Sequence, residues 1–120
     1  MKLQFLAVFS AAFALAFTAN AFAHAEYKSS VPEKDATVKS AAAVVIEFDE
    51  EINPKLSQIV VEDSTGHHVD KGDARLIGDQ KHFGVSLDAP KAGVYKVLWT
   101  SVAADDGHKL TGTFSFTVAP

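Results

Sequence analysis

Residues 93–118 read GVYKVLWTSVAADDGHKLTGTFSFTV, with a run of alternating side chains on each side of a polar segment. In the first run, Tyr95, Val97 and Trp99 fall on one side of an extended chain. In the second run the apolar residues that share a side are Leu110, Phe114, Phe116 and Val118. Because successive side chains of a β-strand point to opposite faces, the pattern predicts two strands with one buried face each.

Shorter runs of the same kind lie between turn signals along the rest of the chain. The predicted strands are residues 25–30, 44–49, 56–62, 83–87 and, most weakly, 68–74. Residues 39–43 fit either one helical turn or a plain connection. About seven short strands without a sustained helical period predict an all-β sandwich or barrel. We expect its interior to contain Phe48, Phe83, Trp99, Phe114 and Phe116. Tyr95 is expected to donate a hydrogen bond to the backbone, as a corner tyrosine of a sandwich does.

The chain has 120 residues, no cysteine and a formal net charge of −4. Packing alone must therefore hold the core, and an acidic chain without a basic cluster is a poor candidate for binding nucleic acid or anionic membranes. Residues 1–23 have the positive start, the apolar stretch and the small-residue end of a secretory signal peptide. A retained membrane anchor is the alternative, but the apolar stretch is shorter than the about 20 residues that span a bilayer. Residues 24–120 then form one exported domain that begins with His24.

Two places in the sequence carry candidate metal ligands. Cleavage after Ala23 leaves His24 with a free amino group beside its imidazole, and these two nitrogens can chelate one ion. Asp106 and His108 add a carboxylate and a second imidazole, with Gly107 between them. Three nitrogens and one oxygen suit Cu(II), which prefers tetragonal N,O coordination. Asp-Gly is also a common turn pair, so an ordinary polar turn is the alternative. The sequence predicts a Cu(II) site if the fold brings the two places together.

A series of short segments occurs in a characteristic order after His24. The segments are Ser29-Ser30-Val31-Pro32, Ile46-Glu47-Phe48-Asp49-Glu50, GVYKVLW at 93–99, Asp106-Gly107-His108 and GTFSF at 112–116. In this order the chain resembles the periplasmic CopC copper-resistance proteins, especially the small YobA-like members. The resemblance spans residues 24–120.

The resemblance implies a seven-stranded Greek-key β-sandwich, immunoglobulin-like or cupredoxin-like, that binds one Cu(II) per mature chain. Its metal ligands would be His24, Asp106 and His108, and Asp105 is the neighbour that can substitute for Asp106. Glu50 occupies the position of a family glutamate near the copper, which makes it a candidate for a weak ligand or for a partner of a ligand. A glutamate at the end of a strand is more often simply solvated.

The implied function is that of a periplasmic protein, not an enzyme, that captures copper and carries, buffers or delivers it in copper homeostasis or resistance. An inner-membrane transporter of the CopD type would receive the ion. We expect a monomer that binds no nucleic acid and does not enter the membrane after cleavage. Family members that hold Cu(I) use a methionine-rich loop, whereas the single methionine here is Met1. We therefore expect a protein that binds only Cu(II) and that holds copper less tightly after reduction.

Two other functions remain open at this point. Lytic polysaccharide monooxygenases also place copper between an N-terminal histidine and a second histidine on a β-sandwich, but they are usually longer, and Asp106 would occupy a position that oxygen activation needs open. An exported immunoglobulin-like module without metal is the other alternative. A second metal site formed by His67, His68 or His82 is disfavoured, because adjacent histidines in a strand point to opposite faces.

Overall fold

The computed structural model describes residues 25–120, which form two packed β-sheets. The strands are β1 (Tyr27–Val31), β2 (Thr37–Val38), β3 (Ala43–Phe48), β4 (Gln58–Glu62), β5 (Arg75–Leu76), β6 (His82–Ser86), β7 (Gly93–Val102) and β8 (Lys109–Val118). One sheet has the strand order β1-β3-β6-β5 and the other has the order β2-β8-β7-β4. No helix occurs within residues 25–120, so the predicted all-β sandwich is confirmed.

The β7–β8 hairpin is the longest element of the fold, with ten residues in each strand. Its antiparallel register runs from Gly93 opposite Val118 to Val102 opposite Lys109. The inward face is apolar as the alternation predicts, since Tyr95, Val97 and Trp99 are buried. This register places the polar segment 103–108 at one end of the sandwich, as the turn between the two strands.

The five aromatic residues predicted for the interior are all buried: Phe48, Phe83, Trp99, Phe114 and Phe116. Trp99 packs edge to face against Phe48, with 5.4 Å between ring centroids. Gly112 lies opposite Trp99 in the hairpin, and a Cβ atom at this position would overlap the indole ring. The tryptophan ring therefore fits at this position only because Gly112 has no side chain.

Tyr95 donates a hydrogen bond of 2.5 Å to the carbonyl oxygen of Lys91, four residues earlier. The ring is buried and stacks on Phe116 at 5.5 Å, so only the hydroxyl reaches the backbone of the preceding turn. This contact confirms the predicted corner tyrosine, and it holds the loop that leads into β7.

The structure has eight strands rather than the predicted seven, and it departs from the predicted strands in three places. One is β5, Arg75–Leu76, which was not predicted. The short β2 was not predicted; it lies parallel to the end of β8, with Thr37 beside Thr117. A continuous strand at 68–74 is wrong, since this stretch forms only isolated bridges at His68 and Asp70. The Asp70 carboxylate accepts a hydrogen bond from the backbone of Val61, and Gly72 has a φ of 68°. The positive φ lies outside the range of a β-strand, and the side-chain oxygen replaces a backbone carbonyl as the acceptor for Val61.

Several boundaries also differ from the expectation by a few residues. Residues 39–42 form a plain connection rather than a helical turn, and Ala43 already begins β3. β4 begins at Gln58 because the carbonyl oxygen of Asn53 accepts hydrogen bonds from the amides of Leu56 and Ser57, which closes a turn. β1 begins at Tyr27 because the two residues before it make other contacts, described below.

Candidate metal centre

Asp106 and His108 lie in the turn that connects β7 to β8, and their side chains are in contact. The Nδ1–H of His108 donates a hydrogen bond of 2.6 Å to Oδ2 of Asp106. The backbone amide of His108 donates to Oδ1 of the same carboxylate at 3.0 Å. Gly107 between them has a φ of 71°, which bends the backbone so that both bonds form. The two side chains therefore meet across a turn, and not as alternate side chains of an extended strand.

Backbone hydrogen bonds fix this turn to the sandwich. The amide of Ala103 donates a hydrogen bond of 2.9 Å to the carbonyl oxygen of His108. The amide of Gly107 donates one of 3.1 Å to the carbonyl oxygen of Ala103. A third bond of 2.9 Å joins the amide of Ala104 to the carbonyl oxygen of Glu51, in the segment that follows β3. The carboxylate–imidazole pair is thus held on a turn with a defined backbone.

The electrostatics of the pair favour an ionised carboxylate. The hydrogen bond from the His108 side chain, followed by that from its backbone amide, lowers the pKa of Asp106 below the ordinary value for an aspartate. An ionised carboxylate is the form that binds metal ions. About half of the His108 side chain and a third of the Asp106 side chain are exposed, at 47% and 32%, so an ion can reach both.

The start of the described chain is bound at the same end of the sandwich. The buried hydroxyl of Ser101, near the end of β7, donates a hydrogen bond of 2.6 Å to the carbonyl oxygen of Ala25. Glu26 and Asp49 are joined by two bonds: the amide of Glu26 donates to Oδ1 of Asp49 at 2.7 Å, and the amide of Asp49 donates to the carbonyl oxygen of Glu26 at 3.0 Å. These contacts replace the strand pairing predicted for residues 25 and 26.

The predicted ligand His24 lies outside the described residues. Glu50 is half-buried in the bend between Asp49, which binds Glu26, and Glu51, which binds Ala104. Among residues 25–120, no group of three or more histidine, aspartate or glutamate side chains is arranged to hold a metal ion. The structure therefore brings together Asp106 and His108, but it does not add Glu50 to them as a third ligand.

The other histidines lie in separate surroundings. A hydrogen bond of 2.7 Å joins Nδ1 of His67 to the Thr65 hydroxyl. His68 forms an isolated β-bridge with Glu62. His82 begins β6 and contacts Asp79 and Glu47. These residues do not form a common cluster in the described part of the chain.

Sequence reasoning missed Ser101 and Asp49, the two side chains that hold residues 25 and 26. A signal for Ser101 was present, because it continues the buried series of Tyr95, Val97 and Trp99 with a small polar residue. A buried hydroxyl requires a hydrogen-bond partner. Nothing in the sequence indicated that this partner would be a backbone carbonyl 76 residues away.

The CopC domain family matches residues 27–119, nearly all of the described chain. The chain belongs to the CopC family. Copper resistance protein C of Escherichia coli is 31% identical over 107 residues, which cover 82% of this chain and 84% of that protein. Copper transport protein CutJ of Bacillus subtilis (strain 168) is 35% identical over 101 residues. That match covers 81% of this chain but only 18% of CutJ, so the chain corresponds to a small part of the larger protein.

Solved structures of CopC proteins share the fold of this chain, a cupredoxin-like β-sandwich. The crystal structure of PcoC, a methionine-rich copper resistance protein from Escherichia coli, has a TM-score of 0.70 and 30% identity, and the match covers 79% of this chain and 98% of that one. CopC from Methylosinus trichosporium OB3b has a TM-score of 0.73 and 29% identity, with 81% and 95% covered.

The family assignment bears on the alternatives left open by the sequence. The relatives described above are named as copper resistance or copper transport proteins, and these names describe no enzyme. The polysaccharide monooxygenase and the metal-free immunoglobulin-like module are therefore not favoured. In the part of the chain that the structure describes, no helix is long and apolar enough to span a membrane.

Proposed function

We propose that this CopC-family protein is exported to the periplasm, where it binds one Cu(II) ion and carries, buffers or delivers it in copper homeostasis or resistance. The ligands are the amino group and imidazole of His24, freed by removal of residues 1–23, together with Asp106 and His108. The single observation that carries the proposal is the Asp106–His108 pair at the end of the sandwich where Ser101 binds Ala25.

The spacing of the described pair suits a tetragonal ion. Two donors at right angles, each about 2.0 Å from an ion, lie about 2.8 Å apart. Oδ2 of Asp106 and Nδ1 of His108 are 2.6 Å apart, so the two atoms are close enough to bind one ion once the imidazole proton has left and the side chains have turned toward the ion. The ionised carboxylate also supplies one negative charge to the site.

The position of Ala25 supports the remaining two ligands. Ala25 is fully buried, and its carbonyl oxygen accepts a hydrogen bond from Ser101. Ser101 lies two residues before the turn that carries Asp106 and His108. Consecutive Cα atoms are about 3.8 Å apart, and this short covalent distance from Ala25 supports the proposal of an N-terminal ligand at this end of the sandwich. The amine is a ligand only after cleavage, because an amide nitrogen binds metal poorly. The site would therefore form only in the exported protein.

The donor set explains the choice of oxidation state and the route of release. Cu(I) prefers thiolates and thioethers, and the sequence contains no cysteine and no methionine beyond Met1. Reduction would then weaken binding and allow transfer to a membrane transporter of the CopD type. An acidic monomer with a single exposed site is sufficient for this role.

Cu(II) titration of the mature protein, followed by electron paramagnetic resonance, tests the proposal. We expect one tight equivalent with nitrogen hyperfine structure from His108. Removing a side chain that hydrogen-bonds a metal ligand lowers metal affinity about 10–100-fold, and removing the ligand itself should lower it at least as much. His108→Ala should show this loss, whereas His67→Ala, which alters an exposed histidine of another turn, should bind like the wild type. Equal affinity in both variants would contradict the proposal.

A further inference from the structure

His82, the first residue of β6, lies between two carboxylates on the sheet that does not contain the β7–β8 hairpin. Its Nδ1 is 2.8 Å from Oδ1 of Asp79, in the turn before the strand. Its Nε2 is 3.4 Å from Oε2 of Glu47, its register partner on β3. Each nitrogen of the imidazole therefore lies near a carboxylate oxygen.

Asp79 determines which nitrogen carries the proton. Its Oδ1 also accepts hydrogen bonds from the backbone amides of Lys81 at 2.9 Å and His82 at 3.0 Å, so its position is fixed. The hydrogen bond from the His82 side chain, then that from the Lys81 amide, lowers the pKa of Asp79. An ionised carboxylate only accepts hydrogen bonds, so the proton of a neutral imidazole lies on Nδ1.

The other nitrogen then faces Glu47 with a lone pair. In a neutral imidazole with the proton on Nδ1, Nε2 is an acceptor, and so is Oε2 of Glu47. The second oxygen of Glu47 has partners of its own: the Ser29 hydroxyl donates to Oε1 at 3.2 Å, and the Lys28 ammonium lies 3.9 Å from it. In this neutral form two acceptors face each other across 3.4 Å, and a metal ion bound by both atoms would remove their repulsion.

We propose that Nε2 of His82 and Oε2 of Glu47 bind a divalent metal ion of tetrahedral preference, such as Zn(II), with water in the remaining positions. Two tetrahedral ligands at about 2.0 Å from an ion lie about 3.3 Å apart, whereas square-planar neighbours lie about 2.8 Å apart. The observed 3.4 Å matches the tetrahedral value. Asp79 is a positioning residue, because metal-binding histidines usually donate their other N–H to a carboxylate.

The site is open to ions and independent of the proposed copper site. The side chains of His82 and Glu47 are 36% and 28% exposed. Two protein ligands make a weaker site than three or four, so ions should bind here only after tighter sites are filled. The two sites lie on different sheets and share no residue, so failure of one proposal leaves the other unaffected.

A Zn(II) titration of the ¹⁵N-labelled mature protein at about pH 8, read by long-range imidazole NMR, tests this inference. Before zinc is added, we expect the neutral ring of His82 to carry its proton on Nδ1. Zinc should then shift the Nε2 resonance of His82 in a saturable manner. A neutral ring with its proton on Nε2, or a His82 resonance that does not move with millimolar zinc, would overturn the proposal even if no variant were made. Zinc shifts confined to His108 would also overturn it and would leave the copper proposal intact.

Variants at Glu47 and Asp79 test whether each side chain takes part in zinc binding at His82. Glu47→Gln should weaken this binding event at least tenfold, and Asp79→Asn should weaken it about 10–100-fold while converting His82 to a mixture of tautomers. His67→Asn is the matched control, since that exposed histidine contacts a hydroxyl at 2.7 Å but has no carboxylate facing Nε2 among its described contacts. If zinc binds at His82 with the same affinity in Glu47→Gln and in His67→Asn, the carboxylate of Glu47 is not a ligand.

Discussion

The hydroxyl of Ser101 donates a hydrogen bond of 2.6 Å to the carbonyl oxygen of Ala25, which joins the start of the described chain to the end of β7. Ser101 is fully buried, and the contact spans 76 residues of sequence. Asp106 and His108 lie in the turn that follows β7. One hydroxyl thus binds the first described residue at the end of the sandwich that carries the carboxylate–imidazole pair.

Replacing Ser101 with alanine should weaken both the fold and the proposed copper site. Removing the hydroxyl leaves the buried carbonyl of Ala25 without its partner, which costs about 1–3 kcal/mol of the free energy of unfolding. The chain start would also become less well positioned, so Cu(II) affinity should fall. Denaturant unfolding and Cu(II) titration measure the two effects. Ser115→Ala, a half-buried serine of β8, is the control and should change neither. Unchanged copper affinity in a destabilised Ser101→Ala protein would separate this contact from metal binding.

The two neighbouring aspartates of the β7–β8 turn should differ in their effect on copper. Asp106→Asn removes the charge that contacts His108 at 2.6 Å and should lower Cu(II) affinity about 10–100-fold. Asp105→Asn alters an exposed residue and should leave affinity near that of the wild type. Isothermal titration with Cu(II) compares the pair. A larger loss in Asp105→Asn would transfer the ligand role to Asp105, which the sequence left as the substitute.

Acid should release copper through the nitrogen ligands before it protonates Asp106. Because His108 lowers the pKa of Asp106, this carboxylate stays ionised down to a pH below its ordinary titration range. Amines and imidazoles ordinarily titrate near pH about 8 and about 6.5, so protons compete for the nitrogens first. The midpoint of release, followed by the visible absorption of Cu(II), should therefore lie above about pH 4. Release with a one-proton midpoint below this value would instead identify the carboxylate as the controlling group.

Gly112→Ala should destabilise the sandwich without touching the proposed ligands. The added Cβ would overlap the Trp99 indole, which also packs against Phe48, so the ring or β8 must shift. Overpacking of this kind costs about 1–3 kcal/mol. Thermal unfolding measures the loss, and Thr113→Ala, at an exposed position one residue away, should change stability by less than about 0.5 kcal/mol. Equal stability of the two variants would show that Trp99 moves at no cost.

The parts of the structure that follow from local pattern were predictable. The alternation in residues 93–118 predicts the β7–β8 hairpin and its buried face, and the Tyr95 hydrogen bond to Lys91 follows from the role of such tyrosines in sandwiches. Residues 68–74 were harder, because the Asp70 carboxylate binds the backbone of Val61 and interrupts a strand that composition favours. A side chain that replaces a ladder hydrogen bond leaves no periodic signal.

The candidate site was predictable only in part. Asp106 and His108 were identified by their spacing, but the turn that joins them depends on the positive φ of Gly107. The contacts of Ser101 with Ala25 and of Asp49 with Glu26 join residues that are far apart in sequence, and only the folded topology shows them. His24 remains a prediction, because it lies outside the described residues.

The most direct test of the central claim compares two forms of the exported protein that differ by one residue. Mass spectrometry first establishes that the secreted chain begins with His24. Cu(II) is then titrated into this protein and into a version with a single additional alanine before His24, which converts the amine into an amide. We predict one tight equivalent for the first form and an affinity lower by about 10–100-fold or more for the second. Equal affinity in the two forms would contradict a copper site built on the amino group of His24.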